Sequence, residues 1–279
     1  MLFRSDAWLA GFAAKSVGLP VVRSRHVSIP VKRRRNFVYN ALSDRIIASG
    51  EAVRCVLIEG GVQPDKIMAI PAGVDLRRFH AGVSGEAVRR EWGLQGPVIG
   101  TVAMFRGSKG HQLLLSAAPV VLTSEPEAVF LWVGDGVGRD SLQHEIARAG
   151  LTSKVRITGF REDVPALLAA MDVFVLPSIK SDGVPQVIFQ ALAMRKPVVA
   201  TAVGGIPELI QQQRTGLLVP PNDPRALAEA VLHVLQHPVE AAEWAQAGGR
   251  LVDTQYTLEH TIDRTAAVYT AVLAEKGRA

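Results

Sequence analysis

Short apolar runs alternate along this chain with segments whose apolar positions recur at helical spacing. The runs Val21–Arg25, Ile46–Ser49, Lys66–Ile70, Val98–Ala103, Val129–Gly134, Val155–Thr158, Val173–Leu176, Pro197–Thr201 and Gly216–Val219 predict strands. Between them, His111–Thr123, Arg139–Ala149, Val164–Met171 and Val187–Met194 predict helices. Strand-helix alternation requires crossover connections, so the pattern predicts an α/β fold with parallel sheets and helices on both faces. From Val98 onward the strands are rich in Val, Ile and Leu without alternation, which suits strands covered on both sides.

The rhythm breaks in three places. Asp75–Pro97 is polar and irregular around Phe79–Glu86, with a short helical pattern at Glu86–Trp92, and it marks a domain boundary. After Pro224 the chain reads as helix only, over Arg225–Gln236, Pro238–Gly248 and Leu258–Ala274. At the other end, Ala7–Val17 reads as an amphipathic helix closed by Gly18 and Pro20. Asp6 ahead of that stretch and Lys15 at its end argue against a cleaved leader. No uncharged apolar run is long enough to cross a membrane.

Composition narrows the class. A length of 279 residues suggests two domains, each able to bury a core without staples. Apolar residues at 48% and charged residues at 20% exclude a disordered, collagen-like or coiled-coil chain. The single cysteine, Cys55, excludes an intramolecular disulfide and suits a reducing, cytoplasmic setting. The charge is uneven: residues 1–60 carry ten Lys/Arg against four Asp/Glu, a net of +6, and the remainder sums to −1.

In an open parallel sheet, ligands sit beyond the carboxyl ends of the strands, so the polar residues there are the candidates. After Val98–Ala103 comes Met104-Phe105-Arg106-Gly107-Ser108-Lys109-Gly110, which opens a helix. Two cations beside a helix N-terminus favour an anion such as phosphate, although a solvated loop has the same local pattern. After Val129–Val133 comes Gly134-Asp135-Gly136-Val137-Gly138, a glycine turn without full dinucleotide spacing. Tight strand-to-helix packing is the favoured reading of that turn.

After Val173–Leu176 comes Pro177-Ser178-Ile179-Lys180-Ser181-Asp182-Gly183-Val184-Pro185, then a helix carrying Gln190. Gln190 lies about two helical turns past Asp182. An acid and an amide so spaced can take sugar hydroxyls at two points of one ligand, and a helix-capping role for Ser181 or Asp182 is equally open. His26 follows the first strand; a lone histidine there is usually structural or solvated. Lys32-Arg33-Arg34-Arg35 is either a solvated face or helix start, or a site for an anionic partner, a phospholipid surface or a phosphorylated acceptor. Arginines and aromatics are not interleaved as in base-stacking surfaces, which argues against nucleic acid. Neither Cys/His metal spacing nor a G-x-S-x-G nucleophile elbow is present.

Taken together, these residues resemble the family 4 retaining glycosyltransferases of GT-B fold. Ile70-Pro71-Ala72-Gly73-Val74-Asp75 with Phe79 is similar to the family's interdomain stretch. Lys109-Gly110, Gly134-Asp135-Gly136 and Thr158-Gly159-Phe160 are similar to its three strand-end turns. The run Leu176-Pro177-Ser178, Asp182-Gly183, Gln190-Ala191-Leu192-Ala193, Pro197–Thr201, Gly204-Gly205-Ile206-Pro207-Glu208 and Thr215–Pro220 follows the family signature.

The resemblance implies a nucleotide-sugar donor as substrate, a saccharide or glycolipid acceptor, and neither a cofactor nor a metal. It implies a partial acceptor-side domain over 1–78, a donor-binding domain over 79–256, and a terminal helix, 257–279, packing back toward the first domain. Lys109 would bind the donor phosphates. The family's arginine position falls on Met104, and Arg106, two residues on, is the replacement. The family's pair of glutamates becomes Asp182 and Gln190, toward donor sugar and ribose. Backbone N–H groups at Gly183, Val184 and Pro185's turn would meet the diphosphate, with Gly134 and Phe160 lining the donor side. His26 falls where the family often has a histidine near the transferred sugar.

The resemblance also implies strands ahead of Asp6–His26 that have no counterpart here, so an unpaired strand edge and an apolar patch are expected on the N-terminal part. The function expected is sugar transfer with retention, in cell-surface glycan or lipid-linked saccharide synthesis, with docking on an anionic membrane. A GT-B nucleotide-sugar epimerase and a non-catalytic nucleotide-sugar-binding fragment are the alternatives.

Overall fold

The computed structural model describes residues 3–32, 36–180 and 183–277. They fall into two compact units. The first comprises the described residues of 1–73 with 183–184 and 258–277, and the second those of 74–181 and 185–257.

The first unit opens with helix α1 (Phe3–Ser16). Gly18 ends it at φ +68°, and the Gly18 and Leu19 amides return to the carbonyls of Lys15 and Ala14 at 3.1 and 2.8 Å. That pair of bonds is a Schellman ending, which a left-handed glycine makes cheap. Strands β1 (Val22–Arg25), β2 (Arg45–Ala48) and β3 (Ile67–Ala69) follow, with helices α2 (Phe37–Asn40) and α3 (Glu51–Glu59) between them. All strand pairs are parallel, in the order β1-β2-β3. On one face Ile46, Ala48, Val53, Leu57, Val62 and Ile67 form a core. On the other, Ile47 and Ile70 pack with Val268 of the last helix, α11 (Leu258–Glu275). Polar contacts reinforce that seat: Thr261 Oγ1 donates to the Pro71 carbonyl at 2.9 Å, Arg264 to the Ala69 carbonyl at 2.6 Å, and Arg45 pairs with Glu275.

The apolar pattern predicts no helix where α3 lies. Its buried face is the single pair Val53 and Leu57, too short a stripe to register as periodic. Among the described residues β1 is an edge strand of this sheet. Close to it in sequence, Leu9, Phe12, Val17, Leu19, Ile29 and Phe37 are exposed, Leu9 by 68%. The rings of Trp8, Phe12 and Phe37 stand 6.1 to 6.2 Å apart in pairs.

The second unit contains helix α4 (Glu86–Trp92), β4 (Val98–Val102), α5 (His111–Ser124), β5 (Val129–Val133), α6 (Arg139–Arg148), β6 (Val155–Gly159), α7 (Val164–Ala170), β7 (Val173–Leu176), α8 (Gln186–Ala193), β8 (Val198–Thr201), β9 (Leu217–Val219), α9 (Pro224–Gln236) and α10 (Pro238–Gln255). Its strands are all parallel, ordered β6-β5-β4-β7-β8-β9. Residues from α5, α6 and α9 pack with Ile99, Phe130, Trp132 and Val175 into the main core. On the opposite face Gly100 leaves room for Met171: a Cβ there would lie 2.1 Å from the Met171 sulfur.

Helix α10 runs past the predicted end at Gly248. The Gly248-Gly249 pair is not a stop but a close approach. A Cβ on Gly248 would stand 2.5 Å from Leu192, and one on Gly249 would stand 2.0 Å from the Arg195 guanidinium.

Candidate functional site

The strand order of the second unit reverses direction between β4 and β7, and the carboxyl ends of those neighbours define the switch point where open α/β sheets bind ligands. Three loops converge at this end of the sheet, and backbone contacts lock them together.

The first loop, after β4, carries Arg106 and Lys109. It forms a 3-10 turn at Gly107–Lys109 and reaches α5 through Gly110 at φ +72°. Only glycine serves there, because a Cβ would lie 1.8 Å from the Pro177 carbonyl oxygen. The second loop, after β7, begins at Pro177, and its Ile179 amide donates to the Ser108 carbonyl at 3.0 Å.

The third loop is the glycine turn after β5. Phe105 N–H donates to the Asp135 carbonyl at 2.9 Å, and Gly138 N–H donates back to the Phe105 carbonyl at 3.0 Å. Gly134 at φ +141° comes so near Ala103 that a Cβ would lie 2.1 Å from its carbonyl oxygen. Gly136, at φ +153°, approaches the Phe105 carbonyl in the same way. The turn is therefore the tight packing joint its sequence favours. Asp135 closes it: one carboxylate oxygen accepts the Gly136 amide at 2.7 Å and the other pairs with Arg139 at 3.0 Å.

The result is a rigid backbone platform with Arg106 exposed and Lys109 half-buried on one turn, at the mouth of helix α5. Helix N-terminal amides and cationic side chains are groups whose charge attracts an anion. Behind the turn, His111 is the first residue of α5 and only 3% exposed. Its ring meets Phe105 edge-on at 4.6 Å and Trp132 at 5.7 Å. Burial, aided by the Lys109 charge, pushes the imidazole down to about 4, so it is neutral at neutral pH. In the sequence, His111 is signalled only by its place directly after Lys109-Gly110.

The other candidates are placed as follows. Phe160 follows β6 and is 76% exposed, and the Gly134 amide donates to the adjacent Gly159 carbonyl at 3.0 Å. Pro185 caps the start of α8, and Gln190 lies half-buried within that helix. Gly183 and Val184 group with the first unit, where an ideal Cβ on Gly183 would stand 3.4 Å from both the His26 carbonyl and the Ser49 hydroxyl. His26 is exposed at the end of β1. Asp182, Ser181 and Arg33–Arg35 lie outside the described residues, and Lys32 is exposed. Among the described residues no group of three His, Cys, Asp or Glu side chains could hold a metal ion, and no helix is long and apolar enough to cross a membrane.

Residues 96–237, half of the chain, match the family described as glycosyl transferases group 1, and residues 3–78 match glycosyltransferase family 4. The chain belongs to the group 1 glycosyltransferases of family 4 type. The chain is 29% identical to a 2-deoxystreptamine glucosyltransferase of Streptomyces kanamyceticus, over 81% of its own length and 57% of the relative's. It is 29% identical to a D-inositol 3-phosphate glycosyltransferase of Streptomyces scabiei, over 99% of its length and 69% of that chain. The chain thus spans between about half and two thirds of the length of the curated relatives it matches. Among solved structures it is similar to HepE of Anabaena, crystallised in complex with UDP, with a TM-score of 0.88 and 23% identity over 96% of this chain and 76% of that one. The fold is therefore of GT-B type.

Proposed function

We propose that the protein transfers a sugar from a nucleotide-sugar donor to a saccharide or glycolipid acceptor, with retention of anomeric configuration. The observation that carries this reading is the locked platform at the β4/β7 switch point, which presents Arg106 and Lys109 to an anion. Lys109 meets the donor diphosphate, and Arg106 takes the place of the family arginine at Met104. HepE binds UDP and UDP-glucose, which supports a uridine diphosphate as the probe of first choice.

In this reading Asp182 takes hydroxyls of the donor sugar, and Gln190 takes ribose hydroxyls through its amide. Amides at Gly183 and Val184, with the turn at Pro185, meet the diphosphate, Gly134 and Phe160 border the nucleotide, and His26 stands toward the transferred sugar. Catalysis is then positioning plus neutralisation of the departing diphosphate, whose own oxygen can receive the acceptor's proton. The basic N-terminal 60 residues favour docking on an anionic membrane surface at the cytoplasmic face, where lipid-linked acceptors would be met.

Calorimetry with UDP-, GDP- and ADP-sugars tests the donor site. Binding of one of them, weakened by Lys109→Ala, is the expected result; no binding by any, with Lys109→Ala silent, rejects it. Sedimentation with anionic liposomes tests docking, which should fall with salt and with neutralisation of residues 32–35. Salt-independent sedimentation rejects electrostatic docking.

A further inference from the structure

The turn 106–110 carries both cations of the platform, and two buried rings bracket it. Phe105 immediately precedes it and is 1% exposed; His111 immediately follows it and is 3% exposed. Their centroids lie 4.6 Å apart with planes at 78°, the edge-to-face geometry that aromatic pairs favour. The two ends of the turn are thus clasped side chain to side chain. The clasp is anchored at both ends: Phe105 exchanges backbone hydrogen bonds with Asp135 and Gly138, and His111 rests edgewise on Trp132 of β5.

The chemistry of the ring suits the task. A charged imidazole there would be a third cation buried beneath two others, and burial keeps it neutral instead. Among the described residues no hydrogen-bond partner meets its buried Nε2. The ring is instead packed against its two aromatic neighbours, Phe105 and Trp132.

We propose that His111 is a positioning residue for donor binding, acting through Phe105 to fix the turn that presents Arg106 and Lys109. The inference rests on the donor-site reading above. It assigns His111 no contact with substrate.

Two measurements test it. At a temperature well below the unfolding transition, His111→Ala should bind UDP about tenfold more weakly, because a displaced anchor costs affinity without loss of the anchor's charge. In the nucleotide-free protein, amide exchange across 105–110 should quicken while that of α5 beyond its first turn is unchanged. His111→Phe keeps the edge contact and should restore both Kd, to within about twofold, and loop protection. If His111→Ala does not fold, Phe105→Leu removes the other half of the clasp and should show the same pair of effects. Wild-type Kd and wild-type loop protection in a folded His111→Ala or Phe105→Leu protein overturns the proposal. So does a His111→Phe protein as impaired as the alanine variant. If the wild type binds no nucleotide diphosphate, the donor reading fails, and with it the role in binding. The exchange measurement, read without nucleotide, separates that failure from failure of the clasp.

Discussion

Gly110 lies so close beneath Pro177 that a Cβ on Gly110 would stand 1.8 Å from the Pro177 carbonyl oxygen. The contact joins the loops that follow β4 and β7, on either side of the switch point. Gly110 also holds φ +72°, a region that disfavours other residues. Gly110→Ala must therefore either shift the loops apart or strain the backbone. We expect a loss of about 1–3 kcal/mol in urea unfolding, with weaker UDP binding in whatever fraction remains folded. Full stability in Gly110→Ala would mean the two loops yield at no cost.

Arg106 and Lys109 share one short turn, so their contributions to a diphosphate should be coupled. Each alanine substitution should weaken UDP binding by about tenfold, as expected for one charge-assisted hydrogen bond. The double variant should depart from additivity by about 0.5–1 kcal/mol in a calorimetric cycle. An unchanged Kd in Arg106→Ala would show that Arg106 does not substitute for a cation at Met104.

Asp172 ties together the starts of β4 and β7. One of its carboxylate oxygens accepts the Val98 amide at 2.7 Å and an Arg89 guanidinium proton at 2.6 Å, while its own amide donates to the Val98 carbonyl at 2.9 Å. Asp172→Ala should cost about 1–2 kcal/mol of stability by urea titration, because a strand-end amide loses its acceptor. Asp172→Asn keeps an acceptor oxygen and should cost less. Equal losses in the two variants would assign the effect to charge alone.

The aromatic cluster of Trp8, Phe12 and Phe37, with exposed Leu9 beside Phe12 in α1, forms the kind of surface that drives association in water. Analytical ultracentrifugation should detect concentration-dependent self-association, reduced in a Phe12→Ser, Phe37→Ser protein. A monomer at every concentration, binding no apolar dye, would contradict this.

The central strands of the second unit, β4, β5, β7 and β8, could be read from the sequence to within a residue or two because they are apolar runs buried on both faces. Strand ends are where chemistry collects in such a sheet, so the sequence also predicts that Lys109 and Gly134 lie in loops beyond the strands, as the structure has them. Other features leave no periodic trace. Helix α3 rests on two buried residues, Val53 and Leu57. Gly248 and Gly249 look like a helix end and are instead a contact with Leu192 and Arg195. The Phe105–His111 clasp joins residues across a turn, a spacing that belongs neither to helix nor to strand. Only three-dimensional placement shows that the histidine opening α5 is buried between Phe105 and Trp132.

That placement has a consequence for stability against acid. The folded state holds the His111 imidazole near 4, whereas in an unfolded chain it titrates near 6.5. The fold therefore favours the neutral form, and its contribution is complete above pH 6.5. As pH falls from 6.5 toward about 4, the unfolded chain takes up a proton that the fold refuses, and stability declines by up to about 1.4 kcal/mol per pH unit. Over the whole window the loss is on the order of 3 kcal/mol. His111→Phe removes that proton from the balance. Asp44, Asp75, Glu91 and Asp163 have carboxyls held below the usual range, and they lose their contributions in both proteins alike. Urea unfolding at several pH values between 7.5 and 4.5 should thus show wild type falling more steeply than His111→Phe. Lys109→Ala removes the smaller of the two causes of the shift, so its stability should fall less over the window than that of wild type. Parallel curves for wild type and His111→Phe would mean that the imidazole is protonated in the fold, and that His111 is not enclosed as its contacts with Phe105 and Trp132 require.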